Sequence, residues 1–168
     1  MEFSFRPLSR QDLPLFVGWL TKPHVSQWWK EPKATLEEVE KEYSASIDGN
    51  DPTVVYVIQY KDRPIGIIQS YLVSDYPEHA KSIQLDKSVG IDLFIGEEDC
   101  IGKGYGTEVL RQFVRRIVRD HYKDAEYVVV DPEIGNLPSI KAFEKAGFQK
   151  GRVVSGEYGP EQLLLLRL

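Results

Sequence analysis

The sequence predicts an α/β (α+β) fold: one domain built on a central mixed, mostly antiparallel sheet of six to seven strands, flanked by about four helices. Three observations carry this expectation. The 168 residues are the length of one ordinary domain and long enough to bury a sizeable core. Hydrophobic residues make up 42% and charged residues 28%, a globular balance rather than a disordered one. Segments of strand character and of helical periodicity follow one another in the order β-α-α-β-β-β-α-β-α-β-β, with no internal repeat, linker or low-complexity stretch.

Phe3 to Pro7 reads as the first strand. Ser9-Arg10-Gln11-Asp12 offers a capping serine with an acid three residues on, and Leu13, Phe16, Val17 and Leu20 follow at helical spacing before Pro23 stops the helix. Gln27-Trp28-Trp29-Lys30 is loop-like. Thr35-Leu36-Glu37-Glu38 repeats the capping pattern and opens a second helix towards Ile47. After the turn Gly49-Asn50-Asp51-Pro52, the β-branched and aromatic run Val54 to Tyr60 reads as a strand. Lys61-Asp62-Arg63-Pro64 then turns the chain into its hairpin partner, Ile65 to Val73.

Ser74 to Ser88 is polar and without a clear period, so a long loop is expected there; such loops inside a compact domain are often functional. Val89 to Ile95 is a further strand. The helix beginning at Thr107 carries Val109, Leu110, Phe113, Val114, Ile117 and Val118 on one face. Glu126 to Val130 has the nearly continuous apolar pattern of a strand covered on both faces. Asn136 to Ala146 is a helix ended by Gly147 in the C-cap position. Strands at about Phe148 to Val154 and Gln162 to Leu168 close the sheet.

Composition narrows the function. One cysteine, Cys100, excludes an internal disulfide framework and a multi-cysteine zinc site. His24, His79 and His121 have no second histidine at ligand spacing, so no metal is expected. The net charge of −5 argues against nucleic acid as a partner. Met1 to Arg6 lacks the pattern of a signal peptide, and the longest apolar run, Leu163 to Leu166, is far too short for a bilayer. The expectation is a soluble, cytoplasmic protein without a membrane partner, monomer or homodimer.

The strongest chemical signal is Gly102-Lys103-Gly104-Tyr105-Gly106-Thr107, between a strand and a helix. Glycine permits positive φ and close approach of a ligand to the backbone. Successive amides at a helix N-terminus bind an anion with help from the helix dipole, which suits a pyrophosphate. The alternative is a flexible surface turn without a ligand. The P-loop pattern fails because Lys103 follows the first glycine, and the dinucleotide fingerprint fails because Thr107 follows Gly106 directly. A Rossmann unit would also sit on an early strand.

Two aspartates stand out. Asp92 interrupts the apolar run Val89-Gly90-Ile91-Asp92-Leu93-Phe94-Ile95, and a carboxylate on a central strand is costly to bury unless it is paired. An ammonium substrate is one possible partner; a place on the solvent face of the strand is the other reading. Asp131, after Val128-Val129-Val130 and before Pro132, lies at the carboxyl end of a strand, where open α/β sheets place ligands. It also reads as a plain Asp-Pro turn.

Ile101-Gly102-Lys103-Gly104-Tyr105-Gly106 resembles the R/Q-x-x-G-x-G/A segment by which GCN5-related N-acetyltransferases (GNAT) hold the pyrophosphate of coenzyme A, with Ile101 where the family usually has Arg or Gln. Asn136-Leu137-Pro138-Ser139-Ile140-Lys141-Ala142-Phe143-Glu144-Lys145-Ala146-Gly147-Phe148 resembles the family's N-x-x-[SA]-x-x-x-[YF]-x-K-x-G-F segment. Val89-Gly90-Ile91-Asp92, Asp131-Pro132 with Asn136, Gln27-Trp28-Trp29, the Tyr43 region, Pro64-Ile65-Gly66 and Gln69-Ser70-Tyr71 look like the corresponding stretches of aminoglycoside 6′-N-acetyltransferases.

The resemblance implies a single GNAT-type domain over residues 1–168 that transfers an acetyl group from acetyl-CoA to a primary amine of a small polycationic acceptor, an aminoglycoside at its 6′-amine, by direct attack in a ternary complex. Coenzyme A would lie against Leu93, Phe94 and Ile95, the loop Ile101 to Thr107, and Asn136, Ser139, Ala142, Phe143 and Lys145. The amides around Leu93 to Ile95 would polarise the carbonyl. Asp92 would be the base and, with Asp131, face the acceptor's ammonium groups. Trp28, Trp29, Tyr43, Gln69 and Tyr71 would line the acceptor pocket; Trp28, Trp29 and Tyr71 read equally as core aromatics. Phe143 stands where many members have a tyrosine acid and has no proton to give. Asp75, Glu78 and Asp86 in the expected loop are further groups able to face a cation. The alternatives are acylation of a hydroxylamine or lysine-like amine in siderophore synthesis, transfer to a peptide or protein amine, and a non-catalytic coenzyme A-binding module.

Overall fold

The computed structural model describes residues 1–168 and contains the strands β1 (Phe3–Pro7), β2 (Val54–Tyr60), β3 (Arg63–Leu72), β4 (Ser88–Ile95), β5 (Tyr127–Val130), β6 (Gln149–Gly156) and β7 (Gly159–Arg167). They form one sheet in the order β1-β2-β3-β4-β5-β7-β6. β1 runs antiparallel to β2, and β7 antiparallel to β5 and β6. β4 and β5 are parallel, and their pairing covers only Ser88↔Tyr127, Val89↔Val128 and Gly90↔Val129. The mixed, mostly antiparallel sheet matches the expectation. The chain divides into two compact units, residues 1–69 with 93–103, and residues 70–92 with 104–168.

The first unit holds the helices α1 (Leu13–Leu20), α2 (Pro23–Ser26) and α3 (Leu36–Ile47). The capping patterns act as their sequences imply: Glu38 N donates to Thr35 Oγ1, and Asp12 accepts from the Ser9 amide and hydroxyl. Pro23 does more than end a helix, since its fixed φ serves at the first position of α2. The core of this unit gathers Leu13, Phe16, Trp19, Leu20, Val39, Tyr43, Val57, Ile67 and Phe94. Gly96 is needed for packing: a Cβ there would fall 2.2 Å from the Trp19 ring. The ring's Nε1 donates to Glu97 at 2.7 Å, so a buried indole keeps its polar atom satisfied.

The second unit holds α4 (Pro77–Ile83), α5 (Tyr105–Phe113), a π-helical turn (Val114–Val118), α6 (Arg119–His121) and α7 (Leu137–Ala146). α4 lies where a long loop was expected. Pro77 at its first position and Glu78 in its first turn favour the start, but Ile83 is its one buried residue, too little apolar content to give a visible period. Phe113, Val114 and Val118 are all buried along this helix and its π turn. Gly147 ends α7 at φ 109, as its C-cap position implied. Tyr71, Val73, Ile83, Val129, Val154 and Leu163 form a core on one face of this unit's strands. No helix is long and apolar enough to cross a membrane.

Candidate active site

The last of the three points at which the chain passes between the two units, 103/104, falls within the glycine loop. Gly102 and Gly104 have φ of 72° and 77°, the left-handed region that glycine enters without penalty, and Gly104 is the N-cap of α5. Gly106 differs. Its φ is not positive, and a Cβ there would meet no heavy atom within 4 Å. Neither backbone nor packing therefore requires glycine at 106; the open space suits a group that approaches the backbone from outside. The amides of Tyr105, Gly106 and Thr107 belong to the first turn of α5, where a helix supplies no internal acceptor. Together with the helix dipole they make an anion cradle that fits a pyrophosphate. Ile101 at its edge is 47% exposed, so its apolar side chain serves no core.

α7 packs beside α5, and Thr107 Oγ1 donates to Ala142 O at 3.3 Å. Arg111 donates to Lys145 O. Asn136 Oδ1 accepts from Ser139 N, capping α7. Phe143 is buried and meets Phe148 edge-on at 5.4 Å. Its ring serves the core of the helix pair, and no hydroxyl is present there.

In the first unit, Phe94 of β4 is surrounded by aromatics, with Trp29 at 5.0 Å, Phe16 at 5.6 Å and Trp19 at 6.0 Å between ring centroids. Tyr43 is buried against Phe16 at 4.8 Å, while Trp28 is half-buried in the turn after α2 and Gln69 half-buried on β3. Trp29 and Tyr43 are thus tied to the core. The amides of Gly96 and Glu97 both donate to Ile65 O, at 2.8 and 3.2 Å, the doubled acceptance of a β-bulge. Ile95 O is held by His24 Nε2 at 3.0 Å. Gly66 is required opposite this segment, since a Cβ would lie 2.1 Å from Phe94 O.

The second unit assembles a group of ionisable side chains on one sheet face. Strand alternation puts Asp92 on the side of Gly90, Asp131 on that of Val129, and Glu161 on that of Leu163. The Tyr71 ring lies over Gly90, where a Cβ would fall 2.4 Å from it, and its hydroxyl donates to Asp92. Burial, then the charges of Asp92 and Asp131, push the Tyr71 phenol well above its ordinary value, so it stays a proton donor. His79 Nε2, on α4, donates to Asp131 Oδ2 at 2.7 Å. That bond raises the imidazole above 6.5, against the opposing effect of burial, with further help from the charges of Asp131, Asp92 and Glu161.

Glu161 completes the cluster. The bridge between Glu133 and Glu161 and the bond from Gln162 N to Pro132 O fasten the start of β7 to the Asp131-Pro132 segment. Gly156 clears the space, since a Cβ there would fall 2.0 Å from the Glu161 carboxyl carbon. Burial, followed by the charge of Asp131 and a hydrogen bond to it, pushes the Glu161 carboxyl up to about 7. The Glu161 carboxyl therefore keeps its proton to a higher pH than a free carboxyl does, next to Asp131. Three acids, one histidine and one phenol are arranged for cations; no group of three His, Cys, Asp or Glu side chains is placed to hold a metal ion.

Tyr71, Asp92 and Asp131, which the resemblance assigned to the acceptor side, are therefore brought together. His79 and Glu161 were missed. Glu161 carried a readable signal, standing two and four residues before Leu163 and Leu165 on the same face of β7. His79 carried none, because its partner lies 52 residues away. Asp75, Glu78 and Asp86 are exposed, and Glu78 pairs with Lys81 at 2.7 Å.

Residues 9–155 match the acetyltransferase (GNAT) domain family. An aminoglycoside N(6′)-acetyltransferase type 1 from Klebsiella pneumoniae is 29% identical over 160 residues, which cover 94% of this chain and 79% of that one. A kanamycin resistance protein from Rhizobium radiobacter is 34% identical over 71 residues, 42% of this chain and 64% of that one. Among solved structures, the aminoglycoside acetyltransferase AAC(6′)-Ib in complex with coenzyme A and kanamycin superposes with a TM-score of 0.88 at 28% identity, covering 99% of this chain and 95% of that one.

Proposed function

Because the chain belongs to the GNAT family of acetyltransferases, we propose that it transfers an acetyl group from acetyl-CoA to a primary amine of a polycationic acceptor, an aminoglycoside at its 6′-amine. The observation that carries this reading is the convergence of Asp92, Asp131 and Glu161 on one face, with Tyr71 donating to the first and His79 to the second. An alkylammonium has a pKa near 10, so a polyamine arrives charged at neutral pH and needs several carboxylates. The similarity to aminoglycoside acetyltransferases supports the same acceptor class. The family match takes in both compact units, which supports treating residues 1–168 as one acyltransferase domain.

In this reading the amides from Gly102 to Thr107, with Ile101 at their edge, hold the pyrophosphate. Asn136, Ser139, Ala142, Phe143 and Lys145 flank the pantetheine arm, and the amides of Leu93, Phe94 and Ile95 polarise the acyl carbonyl. Bound acetyl-CoA supplies the activated acyl group. Asp92 anchors the reacting ammonium and takes its proton, directly or through a water, so that a neutral amine attacks the thioester carbonyl; the C–N bond forms as the C–S bond breaks, and coenzyme A leaves as a thiolate that takes its proton from water. Tyr71 keeps the Asp92 carboxylate aimed. Trp28, Trp29, Tyr43 and Gln69 border the acceptor. Phe143 contributes shape and no proton.

Thiol release from acetyl-CoA with kanamycin, tobramycin, N6-hydroxylysine, lysine, spermidine and a lysine peptide tests the reading. Turnover is expected with the two aminoglycosides. Turnover confined to N6-hydroxylysine or lysine would replace the acceptor, and silence across the panel with intact coenzyme A binding would reduce the chain to a binding module.

A further inference from the structure

We infer that His79 is a built-in stand-in for an acceptor ammonium at Asp131, which a polyamine displaces as it binds, and that Glu161 beside Asp131 biases this exchange towards the polyamine. The inference rests on the reading above, in which Asp92 and Asp131 face the acceptor's ammonium groups, and adds the groups of this chain that guard the second of them.

The geometry supports it from several sides. The His79 Nε2 contact with Asp131 Oδ2 at 2.7 Å is the distance an ammonium would take on the same oxygen. The His79 side chain is 23% exposed and Asp131 14%, so the imidazole covers the carboxylate from the solvent side and has room to leave. It is carried by α4, a helix of seven residues, rather than by the sheet that fixes the acids. The groups facing it are Asp131 from the end of β5, Glu161 from β7, Asp92 from β4 and the Tyr71 ring at 5.9 Å from β3. Three of these four are acids, so the pocket favours a cation whichever molecule supplies it.

Exchange of imidazolium for ammonium leaves the local charge unchanged. Its cost is therefore lower than that of stripping a bare carboxylate from water. Glu161 adds the selectivity. Its carboxyl, beside Asp131, offers an ammonium with three N–H donors a second oxygen acceptor that the single N–H of the imidazole does not use. A single-amine acceptor, anchored at Asp92 alone, leaves His79 in place. His79 and Glu161 are in this sense specificity-determining residues, not catalytic ones.

The test compares kanamycin and spermidine with a single-amine sugar, methyl 6-amino-6-deoxyglucoside, by calorimetric binding and by KM and kcat, in the wild type, His79→Ala, His79→Gln and Glu161→Gln. His79→Ala should bind kanamycin about three- to tenfold more tightly, the scale of one screened ionic contact. Glu161→Gln should weaken it by a similar factor, and both changes should be several-fold larger for kanamycin than for the single-amine sugar, which has no second ammonium to place at Asp131. His79→Gln, which keeps a donor without the charge, should follow His79→Ala and carries the test if the alanine variant fails to fold. The imidazole NMR resonance of His79 should move towards that of a free histidine when kanamycin saturates the protein. Weaker kanamycin binding in both His79 variants, an unmoved His79 resonance, or failure of every probe to bind any variant would overturn the inference. Kanamycin binding that follows this pattern without acetyl transfer would instead fault the proposed reaction and leave the subsite standing.

Discussion

Replacing Gly90 with alanine puts a methyl group into the Tyr71 ring. The added Cβ would lie 2.4 Å from Cε2 and Cζ and 2.7 Å from the hydroxyl oxygen, whereas an ordinary carbon contact is about 3.5–4.0 Å. The ring must therefore move by roughly 1 Å, and Tyr71 is 9% exposed, inside the core that includes Val129 and Leu163. Overpacking of this kind costs about 1–3 kcal/mol. Loss of the Tyr71 bond to the Asp92 carboxylate adds about 1–2 kcal/mol. The total, about 2–5 kcal/mol, corresponds to a drop in Tm of roughly 4–20 °C for a chain of this size. Urea denaturation of wild type, Gly90→Ala, Tyr71→Ala and the double variant isolates the cause. With the ring gone, Gly90→Ala should cost nothing, and alanine's smaller backbone entropy should recover up to about 0.5–1 kcal/mol. An equal penalty in both backgrounds would refute the account of Gly90 as the floor beneath Tyr71.

Gly106→Ala should leave stability unchanged or raise it by up to about 1 kcal/mol, since it stands in a helix with open space around it; the KM for acetyl-CoA should nevertheless rise, and an unchanged KM would remove the loop's proposed role. Glu161 is held protonated in the folded state up to about 7 against 4.5 when free, so its contribution is full below pH 4.5 and is lost as pH rises through about 7. Discounted for solvent screening at a half-exposed carboxyl, this amounts to about 1–2 kcal/mol between pH 5 and 8, which Glu161→Gln should abolish in chemical denaturation across that range. His79, raised above 6.5 by Asp131, acts in the same direction, fully below pH 6.5 and fading as pH rises through its higher folded value; His79→Gln should flatten the slope that remains in Glu161→Gln.

Much of the fold was legible because its signals are local. The two capping patterns, the β-branched strands and the αL glycine at 147 each depend on a few neighbouring residues, and each reappears in the structure. α4 escaped because seven residues with Ile83 as the single buried side chain leave no periodic trace. In the glycine loop, the spacing foretold positive φ, which Gly102 and Gly104 adopt, but left a plain turn open beside an anion cradle. Of the aromatics that the sequence left open between core and pocket, Trp29 packs edge-on against Phe94 and Tyr71 is buried beside Val129 and Leu163, contacts that no local spacing rule reaches. His79 illustrates the limit most sharply. Its significance lies in Asp131, and only the folded sheet brings α4 over the end of β5.

The proton transfer proposed for Asp92 decides whether the acceptor amine attacks uncharged. Its most direct measurement is kcat for thiol release with kanamycin in wild type and Asp92→Asn, the amide being nearly isosteric and still able to accept from Tyr71. A general base at Asp92 predicts a loss of about 10²–10⁴-fold on its removal, with the two proteins equal in coenzyme A binding. A kcat within a few-fold of wild type would contradict it.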